Sequence, residues 1–385
     1  MNQISHIGDD GWSIISLYLE EHAIKSVLLV TGKRMYVASG AEGRFASILA
    51  GKRVRRVNEF ETNPKIGDIL RILEDITQDE PYDAIIAVGG GSVMDVAKLL
   101  KAFWNIKGST DPYLRGGEAL VPMEIPLVAV PSTAGSGSEA THFAVVYQEK
   151  EKFSIAHKAL QPNLAVVIPS LLTSVPARVA AASGMDALAQ AIESYWSIHS
   201  TEESSLLAKK AIKLAWASLR DAVVKRESSA LERMAEASHL AGRAIDITKT
   251  TAPHAVSYAL TTFFGVAHGH AVGLLVPRFL EYNNEVTETD CLDARGVLWV
   301  HHVLSEISSM LGCADVKHAS CALNEMMNDL GLETNLIELG IAEEKGLKLI
   351  VDNGLNPQRV NNNPRCLTKQ GLYEILYAML IDRDL

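Results

Sequence analysis

The sequence predicts two domains: an α/β domain with a mostly parallel sheet over residues 1–172, and an all-helical (all-α) domain over residues 173–385. Three observations lead to this prediction. The chain has 385 residues, which is more than one ordinary hydrophobic core accommodates. Its first half alternates short β-branched runs with amphipathic segments, the pattern of a parallel sheet covered by helices. After about residue 173 the strand signal fades and apolar residues recur at helical spacing.

Three runs in the first half predict buried strands, each followed by Gly, Ser or Pro turn residues. They are VLLVT (Val27–Thr31), AIIAV (Ala84–Val88) and PLVAV (Pro126–Val130). In the second half, Ser205–Val224 places apolar residues on one face of a helix. Because no internal repeat or low-complexity linker separates the halves, the domains are expected to pack closely, with a cleft between them.

The composition excludes several classes of protein. Hydrophobic residues make up 48% and charged residues 21% of the chain, the balance of a soluble globular protein. The net charge of -10 and the lack of a dense Lys/Arg run argue against a nucleic-acid partner. The four cysteines show no CxxC spacing and the N-terminus has no signal-peptide pattern, so a cytoplasmic protein with reduced thiols is expected. Thr250–Pro277 is uncharged and long enough to span a bilayer, but its histidines, prolines and glycines argue against a membrane span.

Two glycine-rich loops follow predicted strands: GGGSVMDVAK (Gly89–Lys98) and PSTAGSGSEAT (Pro131–Thr141). Glycines between a strand and a helix let backbone N–H groups approach a phosphate, and the helix N-terminus favours its negative charge. One glycine triplet alone is equally well explained as a tight turn. Two such loops at strand carboxyl ends predict a Rossmann-like, dinucleotide-binding crevice. The candidate cofactor-binding residues are Gly32, Lys33, Gly89, Gly90, Gly91, Ser92, Asp95, Ser132, Thr133, Ser136, Ser138 and Lys152.

The turn after the predicted strand VLLVT bears on the choice between NADH and NADPH. Gly32, Lys33 and Arg34 follow VLLVT directly. An acid at such a turn favours NAD, whereas small and basic residues accept the 2′-phosphate of NADP. Since the turn has no acid, the sequence favours NADPH over NADH. The alternative is a solvated basic turn.

Four residues of the second half form a candidate metal site. Asp186 and Gln190 lie one turn apart on one face of the helical pattern GMDALAQAIESYW. His254 is expected just inside the next helix start, and His268 in a glycine-flanked turn. A carboxylate and two histidines can bind a metal, with Gln190 as a weak fourth ligand or an open position in its place. Taken singly, each residue is more readily explained by a structural role.

Together these motifs resemble the iron-containing (group III) alcohol dehydrogenase family over nearly the whole chain. GGGSVMD, PSTAGSGSE, GMDALAQAIESY, the pair His254 and His268, and NNNPR (Asn361–Arg365) occur in that family's order and spacing. The resemblance implies a dehydroquinate synthase-like architecture, in which one domain binds the dinucleotide and the other the metal, with hydride transfer in the cleft. It implies NADPH or NADH and Fe²⁺ or Zn²⁺ as cofactors, and commonly a homodimer.

The family's metal ligands are one Asp and three His, and three of them carry over as Asp186, His254 and His268. Family members usually place the remaining histidine where this chain has Gln190, and another histidine near the active site where it has Tyr258. Two histidines and a carboxylate suffice for ferrous iron, so a metal is still expected.

Within the family, DALAQAIESYW, AIDITKTTAPHAVSY and FGVAHGHAV are most similar to the enzymes that reduce phosphonoacetaldehyde to 2-hydroxyethylphosphonate. Lys249, Thr250 and Thr251, at a helix start that Thr251 can also cap, predict a site for an anion such as the phosphonate. The alternative is that the threonines only cap the helix and Lys249 reaches water. Tyr258 and His270 are candidate proton donors or relays, with a structural role equally open for His270.

Three other functions remain open. A dehydrogenase for an uncharged alcohol or aldehyde would share every motif except a purpose for Lys249. A lyase of the dehydroquinate synthase type would bind the same cofactors without net consumption of the dinucleotide. A dinucleotide sensor would bind NADPH without turning over an aldehyde, as Gln190 and Tyr258 would allow.

Overall fold

The structure is a computed structural model that describes residues 3–106, 108–149 and 151–381. The chain forms two compact units, Met1–Val175 and Pro176–Leu385. The sequence-based boundary after residue 172 falls within the short 3₁₀ helix Pro169–Ser174.

The first unit contains a six-stranded parallel sheet and a separate antiparallel hairpin. Its strands are β1 Ile4–Ile7, β2 Ser26–Thr31, β3 Arg53–Val57, β4 Ala84–Gly89, β5 Leu127–Pro131, β6 Phe143–Gln148, β7 Glu151–Ala156 and β8 Leu164–Val167. Its helices are α1 Gly11–Glu21, α2 Met35–Ala38, α3 Ala41–Ile48, α4 Ile66–Ile76, α5 Gly91–Phe103 and α6 Asp111–Leu114. The strand order is β1-β8-β5-β4-β2-β3, and β6 pairs with β7.

Both faces of the sheet are covered. Leu28 and Val30 of β2 pack in one core cluster with α4 and α5, whereas Val27 and Leu29 pack in another with α1 and α3. Successive side chains of a strand point to opposite faces, so these β-branched and leucine-rich runs are apolar throughout because both faces are buried. This explains why no polar alternation marks the strands.

The sheet has a topological switch point between β2 and β4. The chain runs from β2 to the edge strand β3, but from β4 it runs the opposite way, to β5. Open α/β sheets bind ligands in the crevice at the carboxyl ends of strands that flank such a point. The first glycine-rich loop and the Gly32 turn both begin there.

The second unit is helical. Its helices are α7 Ala177–Trp196, α8 Glu202–Arg220, α9 Ser228–Thr248, α10 Ala252–Phe264, α11 His268–Asn284, α12 Val297–Met310, α13 Val316–Asp329, α14 Glu344–Asn353, α15 Pro357–Val360 and α16 Lys369–Ile381. The alanine-rich α7 is buried on all sides from Gly184 to Trp196. Pro253 lies in the first turn of α10, and Gly265 ends that helix with a φ of 70°.

The predicted fold class is confirmed. The three predicted strands are β2, β4 and β5, and the predicted helix Ser205–Val224 is α8, which runs on into a π-helical turn over Asp221–Lys225. Among the described helices, including those within Thr250–Pro277, none combines the length and apolar character that a bilayer crossing requires.

Candidate active site

The two glycine-rich loops of the first unit lie against each other. The N–H of Ser132, which follows β5, donates to the carbonyl oxygen of Gly89 at 2.9 Å. A Cβ atom added to Gly91 would lie only 2.8 Å from Oγ of Ser136. Glycine is needed at this position because the second loop packs directly on the first. The two loops therefore form one surface beside the switch point.

Hydroxyl groups line this surface. A Cβ atom on Gly90 would lie 3.3 Å from Oγ1 of Thr133. Oγ of Ser132 is buried and has no hydrogen-bond partner within the described part of the chain, so it is available to a bound molecule. Oγ of Ser92 accepts a hydrogen bond from the N–H of Asn63 at 3.2 Å, which ties the glycine loop to the segment before α4.

A buried lysine fixes the second loop. Nζ of Lys98 donates to the carbonyl oxygens of Ser138 (2.6 Å) and Phe143 (2.9 Å) and to Oγ1 of Thr141 (2.9 Å). Oγ of Ser138 in turn donates to Oδ1 of Asp95 at 3.2 Å. Burial raises the pKa of Asp95 to about 6, against the opposing charge of Lys98. These contacts join α5 to the loop after β5 and give the candidate cofactor site a rigid base.

The two lysines predicted to contact the cofactor lie beside other side chains. Nζ of Lys152 lies 5.9 Å from the ring centroid of Tyr147. Nζ of Lys33 lies 2.6 Å from Oε2 of Glu59, with both side chains exposed. An acid therefore does reach the turn after β2, contributed by the segment after β3. The preference for NADPH depended on the lack of an acid at that turn, and it stays a prediction.

In the second unit, three helices bring the predicted metal ligands together. Asp186 lies on α7, His254 on α10, and His268 is the first residue of α11. Oδ1 of Asp186 lies 3.2 Å from Nε2 of His254 and 4.0 Å from Nε2 of His268. One ligand atom from each of the three lies within 4.8 Å of the others. Gln190, one turn along α7 from Asp186, is also buried.

A glycine makes this convergence possible. A Cβ atom added to Gly269 would lie 2.1 Å from the carbonyl oxygen of Ala182 and 2.8 Å from Cβ of Asp186. Any side chain at this position would push the start of α11 away from α7. Gly269 directly follows His268, so it sets the distance between that imidazole and the carboxylate of α7.

The cluster is electrostatically coupled. Burial opposes the ionisation of Asp186, but His254 and His268 outweigh it and hold the pKa of that carboxyl below its ordinary value. Burial likewise opposes a charge on His254, but Glu193 and Asp186 raise its pKa to about 10. A ligating imidazole is neutral, so metal binding at this cluster would depend on pH.

The TKTT segment (Thr248–Thr251) joins α9 to α10, where the sequence predicted a helix start. Thr251 is the residue before α10, as predicted, but its side chain does not cap the helix. Its N–H and Oγ1 donate instead to Oε2 of Glu193, both at 2.7 Å. Nδ2 of Asn362, in the NNNPR motif, donates to the carbonyl oxygen of Thr250 at 2.9 Å. The prediction that Thr251 serves as a capping side chain is therefore wrong, because a buried carboxylate takes its hydroxyl.

Comparison with known proteins decides the family. The family model of the iron-containing alcohol dehydrogenases matches residues 3–169, and that of the family's C-terminal region matches residues 180–380. The chain belongs to the iron-containing alcohol dehydrogenase family. The resemblance seen in the sequence is thus confirmed, and the protein is an oxidoreductase of the alcohol dehydrogenase and aldehyde reductase class.

Individual relatives show the range of substrates within this family. The chain is 34% identical over 308 residues to phosphonoacetaldehyde reductase of Streptomyces viridochromogenes, covering 76% of this chain and 75% of the relative. It is 32% identical to long-chain-alcohol dehydrogenase 1 of Geobacillus thermodenitrificans, covering 78% and 76%. The solved structure of sulfoacetaldehyde reductase from Bifidobacterium kashiwanohense, in complex with NAD⁺, superposes with a TM-score of 0.87 at 28% identity and covers 99% and 97%.

The residues present fit the iron that this family is named for. Oδ1 of Asp186, Oε1 of Gln190 and Nε2 of His254 are all buried, and none has a hydrogen-bond partner among the described residues. Buried polar atoms are normally paired, so three such atoms in one cluster fit a shared bound partner. A metal cation would pair with all three of them. Carboxylate, amide oxygen and imidazole are suitable donors for Fe²⁺.

The two candidate proton donors have different surroundings. The ring of Tyr258 is half-buried and stacks on that of His268, with centroids 5.8 Å apart. His270 is buried, and its Nε2 donates to the carbonyl oxygen of Glu333 at 2.7 Å. Burial also lowers the pKa of His270, consistent with a neutral ring that donates to backbone. This arrangement supports the structural alternative for His270.

Three further residues shape the two candidate sites and were not predicted from the sequence. Lys98 and Glu193 are buried charges, and Gly269 is a point of close approach between helices. Glu193 had a usable signal, since it lies one turn beyond Gln190 on the ligand-bearing face of α7. Lys98 lies one turn beyond Asp95 in the same way. No sequence signal marked Gly269, because its neighbour Ala182 is remote in sequence.

Proposed function

We propose that the protein reduces an aldehyde bearing an anionic group, most specifically phosphonoacetaldehyde, to the primary alcohol 2-hydroxyethylphosphonate, with NAD(P)H as the hydride source. The observation that carries this proposal is the conformation of Lys249, an exposed lysine held in a strained backbone next to the helix that supplies His254. Two relatives with different names support the same chemistry. Phosphonoacetaldehyde reductase and sulfoacetaldehyde reductase both act on a two-carbon aldehyde with an anionic group.

The backbone of Lys249 has φ 59° and ψ 177°, a region that is populated almost only by glycine. Such a conformation costs about 1–3 kcal/mol and persists only where the surrounding structure holds it. Here Oγ1 of Thr248 donates to Oγ of Ser194 at 2.9 Å, and Thr250 and Thr251 are held by Asn362 and Glu193. Strain of this kind clusters at functional sites.

The side chain of Lys249 suits an anion. It is exposed, and the described part of the chain offers its ammonium no hydrogen-bond or ion-pair partner. Because the Glu193 carboxylate already takes the N–H of Thr251 at the start of α10, the positive charge for an anion comes from the Lys249 ammonium. A phosphonate or sulfonate bound there would lie within a few residues of the ligand His254.

The reaction adds a hydride to the carbonyl carbon and a proton to its oxygen, and converts NAD(P)H to NAD(P)⁺. When bound, iron supplies Lewis acidity at the carbonyl oxygen and the dinucleotide supplies the hydride. Asp186, His254, His268 and Gln190 would hold the metal. Tyr258, which stacks on His268 and lies one turn from His254, would donate or relay the proton through its phenol.

The first unit would bind the dinucleotide. The glycine loop at Gly89–Gly91 would receive the phosphates at the start of α5. The free hydroxyl of Ser132 and the rigid base at Asp95 and Ser138 would fix the rest of the cofactor. NADPH remains the preferred form, with Lys33 as the cation for its 2′-phosphate. The carboxylate of Glu59 would compete with that phosphate for the ammonium group of Lys33.

Two further expectations complete the proposal. All four cysteines are free, which suits the cytoplasm, where thiols stay reduced. A homodimer is proposed from membership of the family alone.

The test is NADPH oxidation by protein reconstituted with Fe²⁺ or Zn²⁺, with three aldehydes: phosphonoacetaldehyde, sulfoacetaldehyde and 3,3-dimethylbutanal. The last replaces the anion by an uncharged group of similar bulk. We expect kcat/KM for phosphonoacetaldehyde to exceed that for the uncharged aldehyde about 100-fold, which corresponds to roughly 2.7 kcal/mol of transition-state binding. A preference for sulfoacetaldehyde would keep the anion site but change the substrate.

Lys249→Ala should raise KM for the phosphonate, at a cost of about 1.5–3 kcal/mol for one charged hydrogen bond. Lys213→Ala removes an exposed lysine from α8 and serves as the matched control. An unchanged KM in Lys249→Ala contradicts the anion site. Equal rates for charged and uncharged aldehydes would indicate a general alcohol dehydrogenase, as the 32% identity to the long-chain enzyme allows.

A further inference from the structure

A buried carboxylate lies directly behind the metal ligand His254. Glu193 on α7 has an exposed fraction of 0%. A buried charge is stabilised only if it is paired and hydrogen-bonded. Oε1 of Glu193 accepts from Nδ1 of His254, and Oε2 accepts from the N–H and Oγ1 of Thr251. Both carboxylate oxygens are thus used within a single turn of α10.

The contact with Glu193 determines which nitrogen of His254 carries the proton. A carboxylate is an acceptor, so Nδ1 must be the donor in this pair. The lone pair of a neutral His254 is then on Nε2. That nitrogen lies 3.2 Å from Oδ1 of Asp186, and it has no hydrogen-bond partner among the described residues. The ring is therefore set up to bind a metal through Nε2.

Glu193 is itself held in place by a second chain of hydrogen bonds. Nε1 of Trp196, one turn further along α7, donates to Oγ1 of Thr251 at 2.8 Å. The hydroxyl hydrogen of Thr251 is thereby left for Oε2 of Glu193, at 2.7 Å. The carboxylate cannot turn toward another partner without losing these bonds, so its Oε1 stays directed at His254.

We propose that Glu193 is a positioning residue that makes His254 a metal ligand, by holding its proton on Nδ1 and its ring toward Asp186. The inference rests on the proposed metal site of Asp186, His254 and His268. Carboxylates behind metal-binding histidines fix the tautomer and raise the basicity of the ligand, and their loss typically lowers metal affinity about 10–100-fold.

The experiment compares the whole protein with Glu193→Gln and with a matched control, Glu306→Gln. Both variants exchange a carboxylate for an amide in the same helical unit. Glu306 pairs with Tyr195 and with Lys209 (2.8 Å), away from the metal cluster. The readouts are the dissociation constant for Zn²⁺, measured by competition with a chelator, and the visible absorption of the Co²⁺-loaded protein, which reports ligand geometry.

We expect Zn²⁺ affinity to fall about 10–100-fold in Glu193→Gln and to stay unchanged in Glu306→Gln. The Co²⁺ spectrum should change in the first variant only. Equal affinity and an equal spectrum in Glu193→Gln and the unmodified protein would overturn the role of Glu193 while leaving the metal site intact. Failure of the unmodified protein to bind Zn²⁺ or Co²⁺ would overturn the metal site and the role of Glu193 together.

A measurement on the unmodified protein covers the case in which Glu193→Gln does not fold. In Zn²⁺-loaded protein labelled with ¹⁵N-histidine, His254 should show a proton on Nδ1 and none on Nε2. A proton on Nε2, with the metal on Nδ1, would overturn the inference without any variant.

Discussion

The two glycine-rich loops of the first unit and the candidate metal cluster of the second unit both depend on a glycine at a close approach, but the two glycines bring different groups together. Gly91 lets one loop lie against Ser136 of another, and both loops directly follow strands of one sheet. Gly269 lets α11 approach the carbonyl oxygen of Ala182 on α7. The first glycine shapes a backbone surface, whereas the second sets the distance between two particular side chains.

Because of this difference, the two sites should tolerate different substitutions. A dinucleotide is bound largely by backbone N–H groups and small hydroxyls. Its affinity therefore depends less on single side chains of the loops than on the loop backbone conformation. The metal cluster depends on a few buried atoms, three of which have no other partner in the described residues. Changes to the ligands should therefore impair metal binding and leave cofactor binding intact, and changes to the loop glycines should weaken cofactor binding and leave metal binding intact.

The largest expected effect comes from Asp186→Asn, which removes the charge but keeps the shape of the one carboxylate ligand. We expect kcat/KM to fall about 1,000-fold, since Lewis-acid assistance contributes several kcal/mol and each 1.36 kcal/mol is tenfold. The dissociation constant for NADPH should stay unchanged. Steady-state kinetics, metal content and NADPH fluorescence titration measure these three quantities.

Asp293→Asn is the control for this change, because Asp293 is buried in the same unit but pairs with Arg295 at 2.6 Å. It should retain its metal even if its stability falls. Removal of the metal with a chelator should reproduce the Asp186→Asn phenotype in the unmodified protein. Full activity in Asp186→Asn would show that the cluster is not the catalytic metal site.

The second-largest effect is expected on NADPH binding and not on metal binding. In Gly91→Ala the new Cβ would lie 2.8 Å from Oγ and 3.1 Å from Cβ of Ser136, so Ser136 must shift relative to the first loop. Overpacking of this kind costs about 1–3 kcal/mol, and we expect NADPH affinity to fall roughly 10–100-fold with metal affinity unchanged. Isothermal titration of NADPH and Zn²⁺ measures both.

Two variants sharpen this result. Gly43→Ala adds a methyl group in α3, where nothing lies within 4 Å, and should leave NADPH affinity unaltered. The double variant Gly91→Ala/Ser136→Gly removes the side chain that the new methyl group meets, and it should recover most of the lost affinity. If the double variant is as weak as Gly91→Ala, the contact between the loops is not the cause.

A third, smaller effect concerns Gln190, the position at which the chain departs from the family's usual histidine. Gln190→His replaces an amide oxygen by an imidazole, a stronger ligand for Fe²⁺ and Zn²⁺. We expect Zn²⁺ affinity to rise roughly tenfold, equivalent to 1.4 kcal/mol. Gln190→Ala should lower it. If both variants bind Zn²⁺ as the unmodified protein does, Oε1 of Gln190 is not a ligand.

The fold could be predicted from local patterns in the sequence, and so could the grouping of Asp186, His254 and His268, which the structure brings together. Strands buried on both faces, glycines after strands and a carboxylate one turn from Gln190 are all visible within a short window. The supporting residues were less accessible. Gly269 is needed because of Ala182, and Glu59 meets Lys33 only because β3 lies next to β2. These contacts depend on how remote segments pack, which one sequence does not display.

The same limit explains why Thr251 was misjudged. A threonine before a helix is expected to cap it. Glu193 was not predicted to be a buried acceptor, so the hydrogen bond that it accepts from the hydroxyl of Thr251 was not predicted either. A buried carboxylate outcompetes a helix cap because an unpaired carboxylate in the interior costs more than one uncapped helix N–H.

The smallest effect isolates the strain at Lys249. Lys249→Gly and Lys249→Ala both remove the ammonium, but only glycine adopts φ 59° and ψ 177° without strain. The relief of about 1–3 kcal/mol is partly offset by the extra freedom of glycine in the unfolded chain, about 0.4–1 kcal/mol. We therefore expect the free energy of unfolding of Lys249→Gly to exceed that of Lys249→Ala by about 1 kcal/mol. Chemical denaturation measures this difference.

The pair of variants also separates two roles of this residue. KM for phosphonoacetaldehyde should rise equally in both, because both lack the charge. Equal stability of the two variants would mean that the loop relaxes when the lysine is removed, so that the alanine variant no longer holds φ 59° and ψ 177°. A lower KM in the glycine variant than in the alanine variant would mean that loop geometry, rather than the ammonium, governs binding of the anion.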